Sequence, residues 1–299
     1  MPPLEADGRN YHLHRQAWEN LYNAGIKYLS VTARMPLDIS APKGDPVATQ
    51  KEWLREFDFK LSSIHYHGPA YARLDNMEGQ NLVQNKLVEF IKLYSELSPY
   101  AIVLHAGGIL GVSSNLDAFN AFRDSCRKFG YDKTLCVIAE NIAIMADEAA
   151  KYDMKIAIEN MGKLLPVGDM KSLEQLILLT NHRNLGFCID SGHAHCFGER
   201  VVAWLEFAGK RLFETHFHDN NAKAANIPDE FVAAKGIDEH LFPGLGTIDW
   251  REVIKRLDAV GYVRPVMFEC LGLPAQNLVE GYKKAAEWWR NQVSTARRS

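Results

Sequence analysis

Apolar positions along this chain alternate between two periods. Leu135, Ile138, Ile142, Met145 and Ala149 step by three and four, the stripe of one helix face, and after Asp153 the run Lys155-Ile156-Ala157-Ile158 reads as a short strand that delivers Glu159. Leu87, Ile91, Tyr94 and Leu97 form a second stripe, followed by Ala101-Ile102-Val103-Leu104 and then His105. The same grammar predicts strands near 26–32, 60–66, 101–105, 155–159, 185–190, 211–217 and 265–269. Helices are predicted near 13–24, 49–58, 78–97, 115–150 with a break at Gly130, 171–180, 199–209 and 249–260. A last helix from about 276 carries Leu278, Tyr282, Ala285 and Trp289 on one face.

Strands alternating with helices predict a parallel sheet with crossover helices. The expected fold is α/β, a (β/α)₈ TIM barrel formed as a single domain over residues 1–299, a usual length for one such barrel. Seven strands are recognisable. An eighth would have to precede the first helix, where MPPLEADGRNYH offers only a short or irregular strand. A doubly wound sheet is disfavoured because no GxGxxG follows the first strand.

Chemically capable side chains fall at the strand ends. His65 and His67 end LSSIHYHGP, His105 ends IVLHAGG, Glu159 ends IAIENM, and Asp190 opens DSGHAH. His216 lies in FETHFHDN and Glu269 in PVMFEC. In a barrel these ends converge on one mouth. Glu159, Asp190, His216 and Glu269 would make an oxygen-rich site suited to one divalent ion, Mn²⁺, Mg²⁺, Co²⁺ or Zn²⁺. Carboxylates crowded at one mouth repel and take up protons unless a cation offsets them, and Lys163 is the one basic residue close to any of the three in sequence.

Other polar residues are less committed. Asp190 and His193 lie three apart, so His193 can bind metal, bind substrate or orient Asp190. Asp238 and His240 precede a turn with Pro243, Gly244 and Gly246, either as a loop-stabilising pair or as a second metal site, and Asp249 is the expected cap of the next helix. His182, His195 and His218 read as structural or exposed, and His12 and His14 receive no role.

Composition narrows the partners. Hydrophobic residues at 47% and charged residues at 24% fit a globular protein with an ample core, and a net charge of −3 provides no global basic field for nucleic acid. The start MPPLEADGRN lacks a secretory pattern, and no run approaches the roughly 18 apolar residues of a membrane span. Five scattered cysteines without a CxxC pair read as free thiols, so the expected location is the cytoplasm. A homo-oligomer is compatible with all of this.

Together IENM, CIDSGHAH, HFHDN, PGLGTIDW and FEC resemble, in order and spacing, the xylose isomerase-like TIM-barrel superfamily over about residues 60–270. In its sugar-acting branch, the resemblance implies one divalent metal on Glu159, Asp190, His216 and Glu269, with Glu159 and Glu269 also facing each other as an acid–base pair. It further implies an isomerase, an epimerase or a related lyase acting on a sugar-like polyhydroxy carbonyl compound. His65, His67, His105, His193, Asp238 and His240 would then contact the substrate. The endonuclease IV branch is the competing resemblance: a zinc phosphodiesterase acting on abasic DNA. Its trinuclear site would draw on His65 or His67, His105, Glu159, Asp190, His193, His216, Asp238, His240 and Glu269. Against the nuclease, HAGG lacks the proline that branch favours, no loop rich in Arg or Lys with aromatics is present, and Arg297 and Arg298 read as a tail. Against a ketose epimerase, NNAKAANIP lacks the arginine that branch places after HxxD. A third reading is a non-catalytic barrel subunit, which the facing glutamates disfavour.

Overall fold

The computed structural model describes residues 15–34, 46–223, 237–270 and 275–296. Six parallel strands form one sheet in sequential order: β1 (Tyr28–Arg34), β2 (Lys60–His67), β3 (Ala101–Leu104), β4 (Lys155–Glu159), β5 (Leu185–Asp190) and β6 (Leu212–His216). Helices α1 (Arg15–Asn23) and α2 (Pro46–Glu56) flank β1, and α3 (Met77–Tyr94) connects β2 to β3. The β3–β4 crossover holds α4 (Asn115–Phe129) and α5 (Tyr131–Ala150), and α6 (Met170–Thr180) leads into β5. Then come α7 (Ser191–Cys196), α8 (Val201–Ala208), α9 (Trp250–Val260) and α10 (Ala275–Ala296).

Local chemistry sets the boundaries. Asn76, Ser114, Asp169 and Asp249 each accept the backbone N–H three residues on, capping α3, α4, α6 and α9. The break between α4 and α5 is at Gly130, whose φ of +91° is costly for any other residue.

The period of two along each strand divides the core. Ile102, Leu104, Ile156, Ile158, Phe187 and Ile189 belong to the large cluster packed with the helices. Their neighbours Ala101, Val103, Ala157 and Cys188 form a separate, smaller cluster on the other face of the sheet. His105, Glu159 and Asp190 continue that second parity at the carboxyl ends of their strands, so the alternation that buries the core also turns these side chains inward.

Two expectations need correction. Residues 265–269 do not form a strand: they join β6 through a single parallel bridge, Phe217 with Phe268. Pro265 has no N–H to give, and the Met267 N–H goes to the Thr215 hydroxyl instead of a backbone carbonyl. Residues 191–196, where the pattern predicts no helix, form α7, started by Asp190, whose Oδ1 accepts the His193 N–H at 2.7 Å. The expected first strand lies outside the described residues, as do His12, His14, Arg297 and Arg298. Among the described residues no helix is long and apolar enough to cross a membrane.

Candidate active site

Strand ends β2 to β6, the bridge at Phe268 and the segment 237–240 place ten of the sequence-selected residues around one mouth. Glu159 lies at its centre. Its Oε2 is 3.1 Å from Nε2 of His65, 3.1 Å from Nε2 of His105 and 3.4 Å from Nδ1 of His216. The two imidazole nitrogens of His65 and His105 are 2.9 Å apart. Glu269 enters from the other side, with Oε2 2.8 Å from His216 Nδ1. Single ligand atoms of Glu159, Asp190, His216 and Glu269 all lie within 4.8 Å of one another.

These contacts leave polar atoms unpaired. Glu159 Oε1, His216 Nδ1 and Glu269 Oε2 are buried and make no hydrogen bond, since the 2.8 Å approach of the last two is poorly aligned for one. Donor atoms that converge without bonding each other fit a shared cation, because an unpaired buried carboxylate is costly. The ion-pair partners of these carboxylates among the described residues are imidazoles, not lysine or arginine.

The imidazoles also set the local protonation. Burial alone would push the Glu159 carboxyl up, but His216, His65 and His105 outweigh it and hold that carboxyl well below its ordinary value. Glu269 is likewise held down, against burial, by His216 and His65. His216 is raised well above its ordinary value despite burial, by Cys188, Glu269 and Glu159. The Cys188 thiol is pushed up strongly by burial, which opposes a thiolate at this position.

A second cluster adjoins the first. The His193 ring places Nδ1 3.0 Å from the Asn160 carbonyl oxygen and Nε2 3.2 Å from Asp238 Oδ2. The His240 ring repeats this, with Nδ1 2.8 Å from the Glu269 carbonyl oxygen and Nε2 2.7 Å from the same Asp238 Oδ2. Carbonyls accept only from N–H, so both Nδ1 atoms carry hydrogen and both Nε2 atoms face a carboxylate. Such a pairing needs a positive charge between the groups, either bound protons or a cation.

His218, read from sequence as structural or exposed, is fully buried and touches both clusters. Its Nε2 is 2.9 Å from Asp190 Oδ1 and 3.6 Å from Asp238 Oδ1, and its ring stacks on His240 with centroids 4.0 Å apart. The signal was present in HFHDN: His216 and His218 are two apart and share a face. Gly192 provides the space, because a Cβ there would lie 1.8 Å from His218 Cε1. Asn160 was missed too. It ties β4 to β5, accepting the Asp190 N–H at 2.6 Å and donating to the Asp190 carbonyl at 2.9 Å.

His65 and His67 were alternatives in sequence. The structure puts both rings on one side, centroids 4.2 Å apart, with His65 against Glu159 and His67 farther out. His195 faces Thr247 and His182 faces Asp147, both away from this mouth.

A family model described as the xylose isomerase-like TIM barrel matches residues 18–292. The chain belongs to this family. Among solved structures, a D-psicose 3-epimerase from Clostridium cellulolyticum, determined with D-tagatose, superposes with a TM-score of 0.69 at 13% identity, covering 93% of each chain. The IolI protein with a bound zinc atom superposes at 0.64 and 18% identity, over 93% of this chain and 92% of that one. At such identities the likeness shows the fold of this family member. In sequence, an inosose isomerase of Bacillus subtilis is 27% identical over 126 residues, 42% of this chain and 43% of the relative. An uncharacterized protein of Sinorhizobium fredii is 32% identical over 117 residues, 39% of this chain and 33% of the relative. The chain thus spans less than half the length of these curated relatives.

Proposed function

We propose that this family member is a divalent-metal-dependent isomerase or epimerase, or a related lyase, acting on a sugar-like polyhydroxylated carbonyl compound. The observation that carries the reading is the convergence of Glu159 and Glu269, with Asp190 and His216, on one mouth where buried carboxylate and imidazole atoms are left unpaired. The names of the D-psicose 3-epimerase and inosose isomerase relatives agree with it.

Glu159, Asp190, His216 and Glu269 would hold the ion, which supplies Lewis acidity toward a carbonyl and its neighbouring hydroxyl. The chain's own residues do the rest. One of Glu159 and Glu269 removes the proton from the carbon between those groups, and the other returns a proton to the opposite face or the neighbouring carbon. The imidazoles around them favour the ionised, proton-accepting form of both, so the glutamate that returns a proton first takes one up from solvent. His65, His67, His105, His193, Asp238 and His240 line the mouth as hydrogen-bonding groups for the hydroxyls. The test is solvent-deuterium incorporation into candidate ketoses and inososes, with incorporation expected at the carbon beside the carbonyl. Product formed without exchange, together with full turnover by Glu159→Gln, counts against the mechanism.

One observation favours a second reading, a multinuclear zinc phosphodiesterase. His193 and His240 both aim Nε2 at Asp238, and His65, His105 and Glu159 converge at similar spacing. Ligands about 2.0–2.1 Å from one zinc ion sit roughly 3.3 Å apart in a tetrahedron, close to these separations. Cleavage of an abasic-site duplex, with no exchange into sugars, would favour that reading.

A further inference from the structure

Segment 237–250 carries Asp238 and His240 to the mouth without belonging to a helix or strand until α9 begins at Trp250. His240 adopts a left-handed backbone with φ of +47°, which a histidine keeps only where its surroundings enforce it. The enforcing contacts meet at one buried side chain, Asp219, three residues beyond His216.

Asp219 Oδ1 accepts the N–H of Asn220 at 2.9 Å and of Ile248 at 3.2 Å. Its Oδ2 accepts the N–H of Gly244 and the indole N–H of Trp250, each at 2.8 Å. Its main chain pairs in both directions with Leu241, the residue after His240, at 2.7 and 3.1 Å. The fit is tight, because a Cβ on Gly246 would lie 2.4 Å from Asp219 Oδ1. Leu241 is thereby fixed against the continuation of β6. His240 is left to give its Nδ1–H to the Glu269 carbonyl and turn Nε2 toward Asp238.

We propose that Asp219 is a positioning residue that aims His240 and Asp238 into the mouth through the 241–250 turn. This rests on the proposed function only in taking Asp238 and His240 to serve the site. The aiming itself is measurable without substrate or metal.

The experiment uses the full chain with ¹⁵N-labelled histidine. Side-chain ¹⁵N–¹H correlations assign His240 by its loss in His240→Ala, alongside backbone hydrogen exchange. The parent protein should show one His240 side-chain pattern, with hydrogen on Nδ1 facing the Glu269 carbonyl. Asp219→Asn places an amide against donors that need an acceptor, so His240 should lose that single pattern while His65 and His105 keep theirs. Exchange of the Gly244 and Ile248 amides should rise about tenfold or more. A residue that only stabilised the fold would move all histidines together or none. If Asp219→Asn does not fold, Trp250→Phe removes one of the four donors and should speed exchange at Gly244 and Ile248 while the fold persists. An unchanged His240 side-chain pattern in folded Asp219→Asn overturns the proposal, as does unchanged exchange in Trp250→Phe where that variant must stand in. Full turnover by His240→Ala, with these shifts intact, would instead count against the role given to His240 in the proposed function.

Discussion

Nε2 of His240 lies 2.7 Å from Oδ2 of Asp238, while Nδ1 of the same ring donates to the Glu269 carbonyl at 2.8 Å. Burial opposes a charge on this ring, but Asp238 outweighs it and raises the imidazole from 6.5 to about 9. A raised folded value contributes stability that is complete below the unfolded value and lost as pH climbs through the folded one. Metal-free protein should therefore lose thermal stability between pH 6.5 and pH 9. A divalent cation held by Glu159, Asp190, His216 and Glu269 must displace the proton of His216, itself raised well above its ordinary value, so stabilisation by Mn²⁺ should grow as pH rises. Calorimetry at both ends, with and without Mn²⁺, checks it; a cation effect that shrinks with pH contradicts it.

Replacing Glu159 or Glu269 by Gln should lower turnover on the order of 10²- to 10⁴-fold, the usual contribution of a positioned acid or base. Circular dichroism should show the fold retained, since strand tips at a barrel mouth tolerate change better than the packed interior. Near-parental turnover in either variant would remove that glutamate from the acid–base pair.

Metal analysis after purification without chelators separates the two functional readings. Glu159, Asp190, His216 and Glu269 should hold one tightly bound equivalent, and His240→Ala should leave it in place. A stoichiometry near three that drops in His240→Ala would move the assignment to the multinuclear phosphodiesterase.

Gly192→Ala should destabilise the protein by about 1–3 kcal/mol or more, the range for overpacking a filled interior. The added Cβ would lie 1.8 Å from Cε1 of His218, a ring with no exposed surface to move into. Thermal melting reads the loss, and His218→Ala in the same chain should recover part of it. No recovery would mean the clash lies elsewhere.

Glu214 lies fully buried on β6 and accepts from the Ser62 hydroxyl at 2.6 Å. Burial raises its carboxyl above the ordinary value, against Ser62 and the Thr215 N–H. A raised carboxyl contributes stability below its unfolded value and loses it as pH rises, so at neutral pH this group is a cost. Glu214→Gln should be at least as stable as the parent at neutral pH, with a flatter dependence from acid to neutral. A marked drop in Tm at neutral pH would show that the ionised form is what the fold uses.

The order of elements was legible in the sequence because burial enforces period. A strand covered on both faces must read as a short apolar run, and a helix on that sheet must carry a stripe. Hence β2 to β6 and α3 to α6 lie where the pattern put them, to within a few residues. The residues at the mouth were legible for the same reason: parity along a strand carries the inward face past the core to His105, Glu159 and Asp190. The seventh run, 265–269, shows the limit. Its apolar residues looked like a strand, but Pro265 and the Thr215 hydroxyl divert the ladder, and hydrogen-bond partners are not written in a period.

What only the tertiary structure decided is which side chains meet. The spacing of His216 and His218 put both on one face, but the place of His218 between Asp190 and Asp238 depends on the missing side chain of Gly192, 26 positions away in the sequence. The aim of His240 depends on Asp219 and on the Glu269 carbonyl. Periodicity records the face a residue turns to the core, a property of its own segment. Distances of about 3 Å between segments are set by how the strands and loops pack together, and no local pattern encodes them.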